Sequence, residues 1–442
     1  MSKQNTLLIC IDSHILKRHI TKSARKKKPK LYEVVKLATL VKNLKNLSKI
    51  LLFPFAIGLL APAVVEAGGG DHKGHHDHHG GDMNMGDSYP STMFMGKTTF
   101  VLGGVDGVSD SGMGGMGGMG GMGGMSTSEE KDGTVFHYDT KLMFMTSFTG
   151  QDMLKTAVRV GNFGMMEPFG MMGEARLDTA FSSSDSLELH KAYYQFPVGG
   201  DIQVTFGPKL RQDDLLGVWP SAYPGDGVLF VLNQAGANDT YSKKMGAGAG
   251  ITWSNEKLVA SALFVSEDAS NSSIGFLADE GKDHITTQLA WVDEKFTVAA
   301  AYTKADNGKT DNSPDINDYS SFGVSGSYKF GVDYILSAGM GWKNPDNDDS
   351  PDTAMNKVED GNTWSVGFLW NDAFIEGNKF GFGIGTAETH RDDSGYDDPL
   401  AWEAFYDFKV NDSVTVTPAV FVIEKDGKED VNGALVKTTF EF

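Results

Sequence analysis

The chain has 442 residues, with 39 Lys and Arg against 58 Asp and Glu, and its one cysteine is Cys10. Residues 1–67 hold 13 basic and 3 acidic groups, so the rest of the chain carries 26 against 55, or −29. This acidity argues against a nucleic-acid partner. The absence of cysteine after position 10 excludes a disulfide framework, a Cys zinc site and a Cys nucleophile from the body of the protein. An apolar fraction of 40% predicts a large folded body.

The first 67 residues predict a secretory signal peptide with a long basic n-region. Basic residues cluster from Arg25 to Lys49, an apolar run follows at 50–65, and Val65-Glu66-Ala67 resembles a cleavage site before Gly68. A membrane anchor is the alternative. The run of about 16 residues contains two prolines, however, and is short for a span of roughly 20. We therefore expect export through a cleaved signal peptide.

Two low-complexity tracts follow. Residues 68–92 predict a disordered, His/Gly/Met-rich tether whose imidazoles could bind Zn, Cu or Ni; the candidate ligands are His72, His75, His76, His78 and His79. Residues 93–133 combine a strand-like stretch, 94–105, with a Met-Gly-Gly repeat at 112–125. The repeated thioethers could hold Cu(I), although glycine-rich chains are flexible and methionine is also a plain apolar spacer.

From residue 134 onward, apolar and polar residues alternate with a period of two. Between Leu400 and Val410, for example, Trp402, Tyr406 and Phe408 share one face. This pattern predicts sixteen strands, near 134–148, 152–162, 174–181, 186–196, 200–210, 244–253, 257–266, 283–292, 295–304, 319–330, 333–343, 362–371, 379–388, 400–410, 413–424 and 433–442. From the fifth strand onward, long and short connections alternate.

The alternation of loop lengths is typical of a transmembrane β-barrel, with short periplasmic turns and longer external loops. Trp and Tyr near the strand ends fit interfacial girdles. Phe442 ends the chain as outer-membrane barrels usually end, at a residue recognised by the barrel-insertion machinery. We therefore predict an all-β fold over 134–442: a transmembrane antiparallel barrel of about 16 strands in the outer membrane, surrounded by its lipids.

A barrel of this size encloses an aqueous channel. The connection from Arg211 to Lys243 is the third external loop and is unusually stiff and apolar, which predicts that it folds inward and packs on the wall through Trp219, Pro220, Tyr223 and Pro224. Opposed charges at a constriction set ion selectivity; the candidates are Arg159, Arg176, Lys191, Lys209, Arg211, Asp213, Asp214 and Asp226. Salt bridges that only pin the loop are the alternative.

Five later external connections (267–282, 305–318, 344–361, 389–399 and 425–432) hold 21 acidic and 6 basic residues. We expect a solvated acidic rim that binds divalent cations loosely, and no cofactor. An enzyme is not expected, because the histidines of the body are scattered and no Gly-x-Ser-x-Gly elbow occurs.

Several segments resemble a known family, the cyanobacterial outer-membrane porins of the carbohydrate-selective (OprB-type) family, often called iron uptake porins. They are residues 192–197, 204–209, 211–216 and 219–224, with further likeness at 146–150, 159–163 and 246–250. The resemblance covers roughly 94–442. It implies a sixteen-strand channel for small solutes, with inorganic ions, including iron, and carbohydrates as cargo.

One departure from the family concerns the N-terminal region. Members commonly carry an S-layer-homology domain that grips the cell wall, whereas this chain has only the tract 68–92 in that place. Wall anchoring by that route is therefore not expected. The strand-like stretch 94–105 is interpreted as a periplasmic or lumenal segment that precedes the barrel.

The sequence thus predicts an outer-membrane porin for passive diffusion of small solutes and ions. The alternative is a metal-capturing surface protein that uses the His-rich and Met-rich tracts and has the barrel only as an anchor. A homotrimer is common for this architecture, but no residue identifies a trimer face.

Overall fold

The computed structural model describes residues 89–108, 131–224, 227–276, 278, 280–308, 318–346, 360–387, 390–391, 399–425 and 428–442. The signal peptide, the five tether histidines and the Met-Gly-Gly repeat lie outside these residues. No helix in the described ranges is long and apolar enough to cross a bilayer.

Apart from two short 3-10 helices, Gln212–Asp214 and Phe230–Asn233, the regular elements of the described chain are all β-strands. In order they are β1 (Ser91–Asp106), β2 (Val135–Ser147), β3 (Met153–Gly161), β4 (Glu188–Val198), β5 (Ile202–Arg211), β6 (Met245–Asn255), β7 (Leu258–Ser266), β8 (Lys282–Val292), β9 (Phe296–Asn307), β10 (Tyr319–Phe330), β11 (Tyr334–Pro345), β12 (Gly361–Asn371), β13 (Lys379–Thr386), β14 (His390–Arg391), β15 (Leu400–Asn411), β16 (Val414–Ile423) and β17 (Val431–Glu441).

These strands form one closed antiparallel barrel. Neighbouring long strands pair along the chain, and β1 closes the ring by pairing with both β2 and β17. The two-residue β14 pairs only with β12, and β13 pairs directly with β15. The wall in the described residues therefore has sixteen long strands, which confirms the predicted fold class. Closure leaves no sheet edge, as a bilayer requires.

The wall begins earlier than the sequence predicted. The stretch 94–105 is not a segment outside the barrel; it lies within β1, where Lys97 is opposite Glu441 and Asp106 is opposite Asn432. Its inner residues Val101 and Val105 are apolar and buried, and its outer residues Phe100 and Leu102 are apolar and exposed. The prediction was wrong because the long connection after β1 hides its pairing with both ends of the barrel.

The predicted strand at 174–181 is also wrong. These residues belong to the connection 162–187, which we call L2, and their only bridge there joins Leu177 to Leu229. Ala175, Leu177 and Ala180 are buried because L2 packs inside the barrel. One strand is thus lost and one gained, so the total stays at sixteen. The connection 212–244, called L3, remains the third long loop.

The barrel wall has two chemically distinct faces. Aromatic side chains form a belt on the outer face near the short turns, where the rings of Phe330 and Tyr334 are stacked with centroids 5.7 Å apart and Trp370 lies beside them. Near the other end, Phe322 stacks on Trp342 at 6.0 Å. Aromatic girdles at both rims are typical of barrels in a bilayer.

Candidate pore constriction

L3 folds into the barrel and is held to the inner wall by hydroxyl side chains. Ser337 of β11 accepts hydrogen bonds from the backbone N–H groups of Ala222 and Tyr223 at 3.0 and 3.1 Å. Similar contacts to L3 come from buried Ser and Thr residues of β7 to β12, namely Ser261, Thr286, Thr303, Ser321, Ser325 and Thr363. The polar inner face therefore satisfies the backbone groups that a buried loop would otherwise leave unpaired.

Glycines on the inner face allow L3 to lie directly against the wall. A Cβ atom at Gly339 would lie 1.8 Å from the carbonyl oxygen of Ala235, and one at Gly367 would lie 2.3 Å from the ring of Tyr223. Any larger residue at these positions would push the loop toward the lumen. Glycine is used here because it permits this close backbone approach.

One buried carboxylate fixes the middle of L3. Glu403 of β15 is fully buried and accepts hydrogen bonds from the hydroxyl of Tyr223 at 2.7 Å and the backbone N–H of Leu229 at 2.6 Å. Next to it, Lys437 of β17 donates to the carbonyl of Gly227 at 3.1 Å. The loop is thus attached to both sides of the lumen, which keeps its position fixed across the channel.

L2 fills the space between L3 and the first and last strands. Phe163, Phe169 and Leu177 of L2 belong to one buried apolar cluster with Leu229 of L3 and with inner residues of β1, β15, β16 and β17. This cluster lies where a water-filled barrel would be expected to carry polar groups. Two loops, rather than the predicted one, therefore narrow the lumen.

Several ion pairs join the loops to the wall. Lys191 of β4 contacts Asp214 of L3 at 2.6 Å, and the hydroxyl of Tyr193 donates to the same carboxylate at 3.2 Å. The guanidinium of Arg211 binds both carboxylate oxygens of Asp213, two residues further along the chain. These pairs fix the point at which L3 leaves the wall.

Two further carboxylates hold L2. Asp139 of β2 pairs with Arg159 of β3 at 2.5 Å, and Arg159 also donates to the carbonyl of Thr179 at 3.2 Å. Asp178 lies 3.8 Å from the ammonium of Lys243 in L3 and accepts a hydrogen bond from Asn233. Sequence reasoning did not identify Asp139, Asp178, Lys243 or Glu403, since nothing local distinguishes them from other polar-face residues.

Arg176 differs from the other basic residues of the constriction. Its guanidinium lies over the ring of Phe230, 3.6 Å from the centroid, and among the described residues no carboxylate lies within ion-pair distance. Burial and the nearby charges of Arg211 and Arg159 lower the pKa of Arg176 to about 10, although Asp178 acts in the other sense, so Arg176 stays charged at neutral pH. Among the described residues, Arg176 is therefore a positive charge without an ion-pair partner.

Burial shifts the pKa values of the acidic and basic residues of L3 in opposite directions. Burial would raise the pKa of Asp213, but Arg211 and Lys191 hold it well below its usual value. For Lys243, burial together with repulsion from Arg211 lowers the pKa to about 8, although Asp178 acts in the other sense. Lys243 thus loses its proton closer to neutral pH than an ordinary lysine does.

The structure brings most of the predicted constriction residues together. Arg159, Arg176, Lys191, Arg211, Asp213 and Asp214 lie in one network with Lys141, Lys155, Lys243, Asp139 and Asp178. We call these eleven residues the basic cluster; its seven basic and four acidic members leave an excess of three positive charges. Lys209 lies opposite Ala192 in the sheet, and no contact between described residues joins it to the cluster. Asp226 lies outside the described residues.

The predicted packing residues and the terminal residue take the following places. Pro220, Tyr223 and Pro224 are buried, whereas Trp219 is partly exposed, with its ring 5.3 Å from that of Tyr241. Phe442 lies at the short-turn end, where its backbone exchanges two hydrogen bonds with Gly96 of β1.

Comparison with known proteins supports the fold. No protein-family model matches the chain. The uncharacterized protein sll0772 of Synechocystis is 24% identical over 335 residues, which are 66% of this chain and 60% of that protein. The chain therefore spans less than two thirds of the length of this relative.

Solved structures show the same architecture. The structure of OprB from Pseudomonas putida superposes with a TM-score of 0.55 at 12% identity, covering 79% of this chain and 94% of that one. A porin variant of Rhodopseudomonas blastica gives a TM-score of 0.44 at 14% identity, over 79% of this chain and all of that one. The likeness to OprB shows that the chain folds as a porin-type β-barrel.

Proposed function

We propose that the protein is an outer-membrane channel for the passive diffusion of small solutes. The observation that carries this proposal is a closed sixteen-strand wall with L3 folded inside and attached at Ser337 and Glu403. A barrel of this size leaves an aqueous channel. A loop fixed across its interior sets the width through which solutes pass, and no chemical step is required of any residue.

The basic cluster gives the channel a preference for anions. Its excess of three positive charges stands in a low-dielectric, narrowed part of the lumen, where fixed charge acts strongly on passing ions. Inorganic ions are the proposed cargo, with carbohydrates as a further class that the sequence resemblance implies. Iron would pass most readily as a negatively charged complex, because the bare cation is repelled by the cluster.

Recording from the purified protein in planar bilayers tests this proposal. We expect stepwise conductance in potassium chloride and a reversal potential that indicates chloride preference. Absence of steps would refute a channel; a preference for potassium would refute only the role of the basic cluster. Sugar-block measurements in the same membranes would test carbohydrate passage.

A variant of the loop attachment tests whether L3 sets the width. Glu403→Ala leaves the Leu229 N–H and the Tyr223 hydroxyl without their acceptor, so we expect L3 to loosen and conductance to rise. Tyr223→Phe is the matched control, because it removes one hydrogen bond worth about 1 kcal/mol and keeps the others. Equal conductance in wild type and Glu403→Ala would show that L3 does not limit the flow of ions.

A further inference from the structure

The inner face of β1 and β2 carries four methionines near the short-turn end of the barrel. The sequence Met-Phe-Met occurs once in each strand, and the register places Met93 opposite Met145 and Met95 opposite Met143. The two phenylalanines between them lie on the outer face, with ring centroids 5.2 Å apart. Because side chains alternate across a strand, all four methionines face the lumen.

These methionines lie outside the buried apolar core of the lumen. Each is partly exposed, and none belongs to either of the two buried apolar clusters inside the barrel. Met153, the next methionine on the same face, does pack against one of these clusters. An aqueous lumen favours polar side chains at such positions, so four free thioethers there call for a chemical explanation rather than a packing one.

The arrangement suits a soft metal ion. Residues directly opposite each other in an antiparallel pair have Cβ atoms about 5 Å apart, and methionine has enough rotatable bonds for the sulfur atoms of two adjacent pairs to converge. Thioether ligands select Cu(I) among biological metals. No group of three or more His, Cys, Asp or Glu that could hold a metal competes for the ion within the described ranges.

We propose that Met93, Met95, Met143 and Met145 form a binding site for a soft monovalent cation, Cu(I), in the lumen of the barrel. We call these four residues the thioether site. None of its residues belongs to the basic cluster, although two members of that cluster, Lys141 and Lys155, lie beside it. It does not depend on the proposed transport function, since binding requires only the paired strands.

The neighbouring positive charges predict whether removal of a lysine strengthens or weakens binding at the thioether site. Lys155 of β3 lies opposite Met145, and Lys97 and Lys141 form the next inner pair along the strands. Positive charge at these positions weakens the binding of a cation and strengthens the binding of an apolar organic anion. The effect of removing one lysine therefore distinguishes a metal site from a site for such an anion.

Silver(I) titration of the full chain by calorimetry in nitrate buffer tests the thioether site, because Ag(I) shares the soft character of Cu(I) and is not oxidised. The variant has all four methionines replaced by Leu, which keeps the apolar volume and removes the sulfur. We expect it to lose about one tightly bound equivalent of Ag(I). The His-rich and Met-Gly-Gly tracts are present in both proteins, so their binding cancels in the difference.

Met340→Leu is the matched control, since this methionine lies in the outward row of β11; it should bind as wild type does. Heat-modifiable mobility on gels verifies that each variant has folded. Lys155→Gln should bind Ag(I) more tightly than wild type. Unchanged binding in the folded four-methionine variant, or weaker binding in Lys155→Gln, would overturn the proposal.

Discussion

At the scale of single residues, Arg176, which has no ion-pair partner among the described residues, should contribute directly to selectivity. Removing one unit charge about 5 Å from a passing ion changes the ion's energy in water by about 0.8 kcal/mol, or roughly fourfold in local concentration. We therefore expect Arg176→Gln to reduce the chloride-to-potassium permeability ratio by about that factor, measured as a reversal potential across a salt gradient.

A charge-neutral exchange provides the control for Arg176. The double variant Lys191→Met with Asp214→Asn removes one positive and one negative charge that contact each other at 2.6 Å. Its permeability ratio should stay close to that of wild type. If this variant and Arg176→Gln shift the ratio equally, the net charge of the basic cluster does not determine selectivity.

The lowered pKa of Lys243 predicts that stability and chloride preference depend on pH near neutrality. Its pKa of about 8 in the folded protein lies below the ordinary lysine value of 10.5, so the folded chain releases this proton before the unfolded chain does. The free energy of unfolding should therefore rise with pH between about 8 and 10.5. Because Lys243 loses its positive charge when it releases this proton, chloride preference should fall as the pH rises through about 8.

Reversal potentials between pH 6.5 and 9.5 measure this step. Lys243→Gln should reduce the size of the step, because the variant lacks this charge, and Lys243→Arg should keep this charge over the whole range. A step of unchanged size and midpoint in Lys243→Gln would assign the titration to another group.

At the scale of elements, closure of the barrel depends on the contact between its first and last strands. A Cβ atom at Gly103 of β1 would lie 2.5 Å from the Cβ of Leu435 and 2.6 Å from the carbonyl of Ala434 in β17. Gly103→Val should therefore destabilise the barrel by about 1–3 kcal/mol through overpacking, seen as a lower temperature for the shift in heat-modifiable mobility.

Gly133 is the matched control for this substitution, since a Cβ atom there would have no heavy atom within 4 Å. Gly133→Ala should unfold at the same temperature as wild type. Equal unfolding temperatures for Gly103→Val and wild type would mean that β1 can separate from β17 without loss of the barrel.

Most of the strands could be predicted from the sequence alone. Fifteen of the sixteen predicted strands correspond to observed ones, because the alternation of apolar and polar residues is a local property. The segment 174–181 was mistaken for a strand because L2 buries Ala175, Leu177 and Ala180 in a similar pattern. Burial inside the lumen produces the same apolar spacing as burial against lipid, and sequence alone does not separate the two.

At the scale of the whole molecule, the proposed channel would expose ions to two opposed sets of charge, the acidic connections expected outside and the basic cluster. The field of exposed charges is screened within about 10 Å at 0.1 M salt and about 3 Å at 1 M, whereas buried charges are screened much less. Chloride preference should therefore increase with salt when reversal potentials are measured at a fixed concentration ratio. Replacing Asp346, Asp348 and Asp349 by Asn should reduce this dependence, and an identical salt dependence would show that they do not influence entry.

The sequence by itself determined the two-faced strands, their spacing, the transmembrane barrel and the inward-folding loop, since each follows from residues close together in the chain. The tertiary structure decided that β1 closes the wall, that L2 joins L3 in the lumen, and which charges remain unpaired. The contact between Tyr223 and Glu403 spans 180 residues. Such contacts depend on how the closed barrel brings distant inner faces together, and no local pattern encodes that geometry.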